Sequence, residues 1–441
     1  MAAPGSRAGE VQLDRSVPAL ILKVGHYPLS HGGLGAIRSL GRAGVPVYGV
    51  SEDRRAPTAV SRYLTGRFVW PNAGQDQAAL LEGMAGIAER IGRPAVLLPT
   101  DDDAAVLVAE HADALAGRFL FAAQPPALPR TVGGKLGLYR TCTELGVPCP
   151  EAVVPASAAE LAAFCDRAAF PVVAKAADSA VVWRAGVHST QIVHTPEELR
   201  TLWTTVERAC GGGRLLLQEH IPDGEDWIVH GYCDERSDCL VGFTGVKLRS
   251  YPPYAGPTTL GRCQANAALL DQAAALFRRL GYRGIMDMDW RLDRRDGRYK
   301  LLDFNPRLGA QFRLFVNEHG VDVARALHLD LTGRAVPRGG APDGRAFMVE
   351  THDTLAAIGY RRRGALTLPG WLRSLRGVRE LAWFARDDLL PVASFGARFL
   401  RRGADKALRR PARPPTGTGP PVFLPGRTRP RAGATRSPAA S

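Results

Sequence analysis

Over its first 120 residues the chain alternates short apolar runs with amphipathic stretches. Ala19 to Val24 is apolar except for Lys23, the pattern of a strand buried in a parallel sheet. A glycine-rich turn, His31-Gly32-Gly33-Leu34-Gly35, is expected next. An amphipathic helix follows from Ala36 to Ala43, with Ile37 and Leu40 at helical spacing. Val45 to Val50 reads as a second strand, completing a βαβ unit. The same alternation predicts a helix over 77–91, a strand over 95–99 and a helix over 102–116. The glycines do not complete G-x-G-x-x-G. Arg38 stands where a dinucleotide-binding helix packs closely on its strand, which argues against a nicotinamide site.

The texture changes near Pro125–Pro129. A helix is expected to start in Gly133-Gly134-Lys135-Leu136 and run to about Leu145, ended by Gly146 and Pro148. Strands are expected over 170–175 and 215–221, and an antiparallel pair over 227–234 and 240–248. A helix over 269–280 leads into two runs, Gly284 to Leu292 and Lys300 to Phe304. The polar loop Asp293–Gly297 joins them as a hairpin. Antiparallel strands with helices to one side predict α+β construction. Beyond Val336, segments 382–391 and 395–408 read as helical. In the second, Arg398, Arg401 and Arg402 stand beside Phe395, Phe399 and Leu400, a pattern suited either to a membrane surface or to packing on the core.

The hairpin carries the chemistry. In Asp303-Phe304-Asn305-Pro306-Arg307, strand alternation points Asp303 and Asn305 the same way. With the loop centred on Arg295, Asp287 falls opposite Asp303, and Asp289 shares its face. Two carboxylates and an amide oxygen are hard ligands that suit magnesium, and Arg307 suits a phosphate beside it. Lys135 and Lys175, upstream, are point charges for nucleotide phosphates. The strand Gln218-Glu219-His220-Ile221 can offer backbone groups to an adenine edge, with Glu225 or Asp226 bonding ribose hydroxyls.

Charge and cysteine content narrow the field. The net charge is +14, but nine of those charges lie from Arg401 onward. The rest of the chain is only mildly basic, so nucleic acid is not an expected partner. Residues 411–441, rich in Pro and Arg, are expected to be a disordered basic tail, and 1–17 a disordered leader. Seven scattered cysteines show no zinc spacing, and no signal peptide precedes them, which suits reduced thiols in the cytoplasm.

In this order the parts resemble the ATP-grasp superfamily, closest to its carboxylate–amine ligase branch of D-aspartate ligase-like proteins. The resemblance spans about 18–335. It implies an α/β pre-ATP-grasp domain (18–128) and a two-lobed α+β ATP-grasp domain (129–335, lobes about 129–220 and 221–335). A C-terminal extension (336–410) and the tail follow. It further implies that Lys135 and Lys175 hold ATP phosphates, with Lys247 a further cation. Gln218, Glu219 and Ile221 would face adenine, and Glu225, or Asp226, the ribose. Asp287, Asp303 and Asn305 would bind Mg²⁺, with Mn²⁺ as the alternative ion, and Arg307 would stand beside the reacting phosphate. Two features depart from the family. Asp303 replaces a more usual Glu, and the loop Ala176 to Gly186 holds few glycines.

The implied reaction joins a small carboxylate to an amine, amino acid or peptide, through an acyl phosphate, releasing ADP and phosphate. A kinase on the same fold and a non-catalytic nucleotide-binding regulator are the competing readings. The first would yield a stable phosphoester; the second would lack a lysine or metal ligand.

Overall fold

The computed structural model describes residues 11–25, 31–176, 190–210, 215–254, 256–407 and 419–426. The expected loop over the phosphates lies outside them beyond Ala176.

The N-terminal sheet is built on β1 (Ala19–Leu22), flanked in parallel by β2 (Val47–Ser51) and β4 (Ala95–Pro99). β3 (Leu64–Val69) and β5 (Phe119–Leu120) extend it on either side. All four β1 residues are buried, as a central parallel strand requires. The helix Gln77–Ile91 forms where its periodicity placed it. Asp76 caps it by accepting from the Ala79 N–H, and Gly92 at φ 75° ends it. The expected helix over 102–116 is broken at His111 into Asp102–Glu110 and a short turn, Ala112–Leu115.

Three expectations fail here for packing reasons. His31–Gly35 is not a turn but the start of a helix, His31–Arg42. Its glycines permit close approach: a Cβ on Gly35 would lie 2.6 Å from Arg313 Nε and 2.8 Å from the Phe312 ring. Gly35→Ala is therefore expected to destabilise the protein by about 1–2 kcal/mol despite alanine's higher helix propensity, measured by denaturant unfolding. The leader is packed from residue 11. Leu13 is buried, and the Val17 carbonyl lies 3.0 Å from His328 Nε2. The tail is not wholly disordered, because β17 (Val422–Pro425) pairs antiparallel with β3 and covers that sheet edge.

A small sheet runs in the order β6-β9-β7-β8, from β6 (Ala152–Val153), β7 (Val172–Ala176), β8 (Thr190–Val193) and β9 (Leu215–Glu219). The large sheet runs β14-β13-β10-β11-β12-β15-β16. Its strands are β10 (Glu225–Cys233), β11 (Cys239–Ser250), β12 (Thr258–Cys263), β13 (Gly284–Asp293), β14 (Arg298–Asn305), β15 (Ala346–Met348) and β16 (Val378–Leu381). The last two come from beyond 335, so the C-terminal extension completes the large sheet instead of following it. Residues 382–389 are not helical; the last helix is Leu390–Ala407. The core is continuous across these parts. Ile37 and Leu40, Phe312 and Phe315, and Trp383 and Phe395 share one buried cluster.

His31 sits at this junction. Its ring lies 5.7 Å from Phe347 and 5.8 Å from Trp383, and its Nδ1 is enclosed without a partner although the residue as a whole is half-buried. Burial, and then the nearby Arg313, push its pKa down to about 3. The unfolded chain binds this proton more readily. Stability from this group is therefore complete above about pH 6.5 and falls as pH drops toward 3, by up to about 1.4 kcal/mol per unit. Melting temperature against pH should show this slope, and His31→Phe should flatten it.

Candidate active site

The hairpin β13–β14 holds the acids, but not in the expected register. Asp293 pairs with Arg298 across the loop, and an irregularity between Asp289 and Trp290 leaves Leu302 as an extra residue on β14. Asp287 therefore faces Asn305 and Asp289 faces Asp303, correcting the Asp287–Asp303 pairing. The shift is two residues, so each side chain stays on its face. The extra residue also frees a carbonyl: Lys175 Nζ donates to Leu302 O at 2.9 Å.

Three lysines from three elements reach this face. Lys135 begins the helix Lys135–Glu144 after Gly134, and its Nζ is 2.5 Å from Asp303 Oδ1. Lys175, on β7, is 3.5 Å from the same oxygen. Lys247, on β11, is 2.6 Å from Asp289 Oδ2. Arg307 donates to Asn305 Oδ1 at 3.0 Å and to Asp287 Oδ2 at 3.2 Å. Its Nε lies 3.3 Å from Asp102 Oδ1, which brings the N-terminal domain to the site.

Burial pushes the Asp303 carboxyl up, but Lys135, Lys175 and Lys247 outweigh it and hold it well below the usual carboxylate range. Asp289 moves the other way. Burial, with Asp287 and Asp303 nearby, raises it against the pull of Lys247. Burial lowers Lys175, and Lys135 adds to this against Asp303. Neighbouring carboxylates thus differ in their hold on a proton, a common feature of catalytic clusters.

Among the described residues, no three His, Cys, Asp or Glu side chains are placed to hold a metal ion. Each carboxylate instead meets a cation. Asp289 Oδ1 is nevertheless buried without a hydrogen-bond partner. With Asp287, Asp303 and the Asn305 amide it forms a set of hard oxygen donors suited to Mg²⁺.

Gln218 is buried on β9 opposite Val173. The Glu219 carboxylate is held by Lys300 at 2.9 Å and Arg295 at 2.7 Å, and its N–H donates to Glu151 O. The Ile221 carbonyl accepts from Arg291 Nε at 3.0 Å. Glu225 and Asp226 are separated by alternation along β10. Asp226 shares the face of His230, Asp287 and Asp289, where Arg291 meets it at 2.5 Å. Glu225 falls on the opposite face, paired with Arg294.

Sequence reasoning missed two residues here. His230 is fully buried, with Nε2 2.9 Å from Asp287 Oδ1 in a contact that lacks hydrogen-bond alignment. It lies within an apolar strand that carries no signal of it. Asp102 belongs to an Asp-Asp-Asp run that looks like helix capping, and Asp101 does cap that helix. Arg313 is structural: it meets Glu380 at 2.9 Å and donates to Ala382 O.

No family model matches the chain. It is 25% identical over 292 residues to a D-aspartate ligase of Enterococcus faecium, covering 62% of this chain and 68% of that protein. The biotin carboxylase domain of Hydrogenobacter thermophilus 2-oxoglutarate carboxylase, solved with MgADP and bicarbonate, superposes with a TM-score of 0.55. That match has 13% identity and covers 76% of this chain and 74% of that one. An L-amino acid ligase of Bacillus licheniformis superposes at 0.53 with 16% identity, over 71% and 74%. With two sheets and a lysine-lined acidic hairpin, the chain shares the fold of these solved structures.

Proposed function

We propose that this protein is an ATP-dependent ligase joining a carboxylate to an amine through an acyl phosphate, with an amino acid or short peptide among its substrates. One observation carries the reading. Lys135, Lys175, Lys247 and Arg307, from four separate elements, converge on one acidic face between the sheets.

A carboxylate is a poor electrophile until its oxygen becomes a good leaving group, so the site must move a phosphoryl group and stabilise its charge. Lys135 and Lys175 would release Asp303 to the ion and turn to the β- and γ-phosphates. Lys247 would offset charge from the side of Asp289. Arg307, anchored by Asp102, Asp287 and Asn305, would steady the acyl phosphate. Mg²⁺ or Mn²⁺, held by Asp287, Asp303 and Asn305 with Asp289 beside them, would neutralise the phosphate oxygens. Asp226, rather than Glu225, would hold the ribose. Backbone groups of Gln218, Glu219 and Ile221 would border adenine after local rearrangement of their present bonds.

Among the described residues no helix is long and apolar enough to cross a membrane. ATP use and free thiols suit the cytoplasm. The test is a screen of amino acids and short peptides for dependent release of ADP and phosphate, with mass spectrometry of the product. Equal release of ADP and phosphate together with an amide-bonded product is expected. ADP with a stable phosphoester and no free phosphate would make the enzyme a kinase.

A further inference from the structure

Between residues 354 and 386 the C-terminal extension turns its one acid inward and its arginines outward. Residues 354–386 contain seven arginines and one acid, Glu380. Glu380 faces Arg313. The flanking acids are also engaged inside. Asp353 is 1% exposed, bound by Arg249, Thr259 and Trp371. Glu350 accepts the backbone N–H groups of Ala382, Trp383 and Phe384. What remains outside is apolar or positive. On the helix Glu350–Arg362, Leu355 and Ile358 are 40% and 45% exposed. On the helix Leu368–Ser374, Leu368 and Leu372 are 46% and 56% exposed. Arg361, Arg362, Arg363, Arg373 and Arg376 are exposed around them.

Trp371 of the second helix donates to the buried Asp353 of the first, tying the two helices together while these leucines, Ile358 and arginines stay exposed. Solvent gives no reason to set four aliphatic side chains among five arginines. A phosphate backbone would satisfy the arginines but gain nothing from the leucines. An anionic lipid surface satisfies both: headgroups neutralise the guanidinium groups while the aliphatic tips enter the acyl boundary. We infer that this outward face of the two helices is a docking surface for an anionic membrane, holding the enzyme against the bilayer without spanning it. It is distinct from the basic tail over 411–441, and it does not depend on the reaction catalysed.

The test uses full-length protein sedimented with vesicles of phosphatidylglycerol and phosphatidylcholine in equal parts, against phosphatidylcholine alone. The wild type should partition onto the anionic vesicles only. Arg361→Gln/Arg362→Gln/Arg363→Gln should lower that partition about a hundredfold, near fivefold per arginine. Leu368→Ser/Leu372→Ser should lower it about tenfold or more. All five positions are exposed, so both variants should keep the wild-type melting temperature. Wild-type protein that ignores anionic vesicles would overturn the inference. So would variants that bind as well as the wild type, which would place binding in the tail. Displacement from the vesicles by a single-stranded polynucleotide, with the leucine variant undiminished, would make the surface a nucleic-acid site instead.

Discussion

Asp303→Ala is expected to abolish ADP formation while leaving the protein folded. Its Oδ1 is the one atom shared by Lys135 and Lys175, at 2.5 and 3.5 Å, and it stands opposite Asp289 across the hairpin. Without it, the buried Lys175 and the partly buried Lys135 ammonium groups lose the carboxylate between them, and one of the oxygens proposed to hold the metal is gone. Losing both the ion and the phosphate geometry should cost at least about a thousandfold in kcat. Its side chain is 28% exposed, so water can enter the space and the melting temperature should move little. Asp303→Asn keeps the shape and removes the charge, and should be nearly as inactive. Near-normal ADP release from either variant would remove Asp303 from the mechanism.

The largest stability effect is expected at Asp388→Ala. Asp388 is 2% exposed and accepts from Arg38 Nε at 3.0 Å, Ser61 Oγ at 2.7 Å and the Arg62 N–H at 3.0 Å. Arg38 itself is fully buried on the helix His31–Arg42. Truncating Asp388 strands that guanidinium in the interior, which costs about 3–5 kcal/mol. Denaturant unfolding should show the loss, and Arg38→Met in the same chain should recover more than half of it by removing the orphaned charge. A single variant within about 1 kcal/mol of wild type would mean that water reaches Arg38. Because the pair joins the N-terminal domain to the C-terminal extension, its loss should also loosen the shared core around Trp383 and Phe395.

The sites where sequence reading failed have a common character. Gly32, Gly33 and Gly35 look like a turn because glycine lowers helix propensity. They lie in a helix, where Gly32 and Gly35 have no room for a side chain because the segment 309–313 approaches them closely. Arg38 is out of place for a cofactor helix and finds its reason 350 residues later, in Asp388. Phe423 sits in a Pro- and Arg-rich tail, yet its ring lies tilted against Phe68 at 5.4 Å, over the space left by Gly66. In each case the deciding partner is distant in the chain.

From local order alone, the sequence determined the βαβ start, the helix Gln77–Ile91, the antiparallel pair after Trp227 and the acidic hairpin with its two upstream lysines. Period, capping and turn chemistry act over a few residues and survive without knowledge of the rest. Only the tertiary structure decided which acid faces which, that Asp226 rather than Glu225 shares the reactive face, and that His230 and Asp102 stand beside it. It also decided that the C-terminal extension completes the large sheet. A single extra residue in a strand, or a contact across hundreds of positions, sets these outcomes. Their energies come from burial and charge pairing between remote segments, which no local pattern encodes.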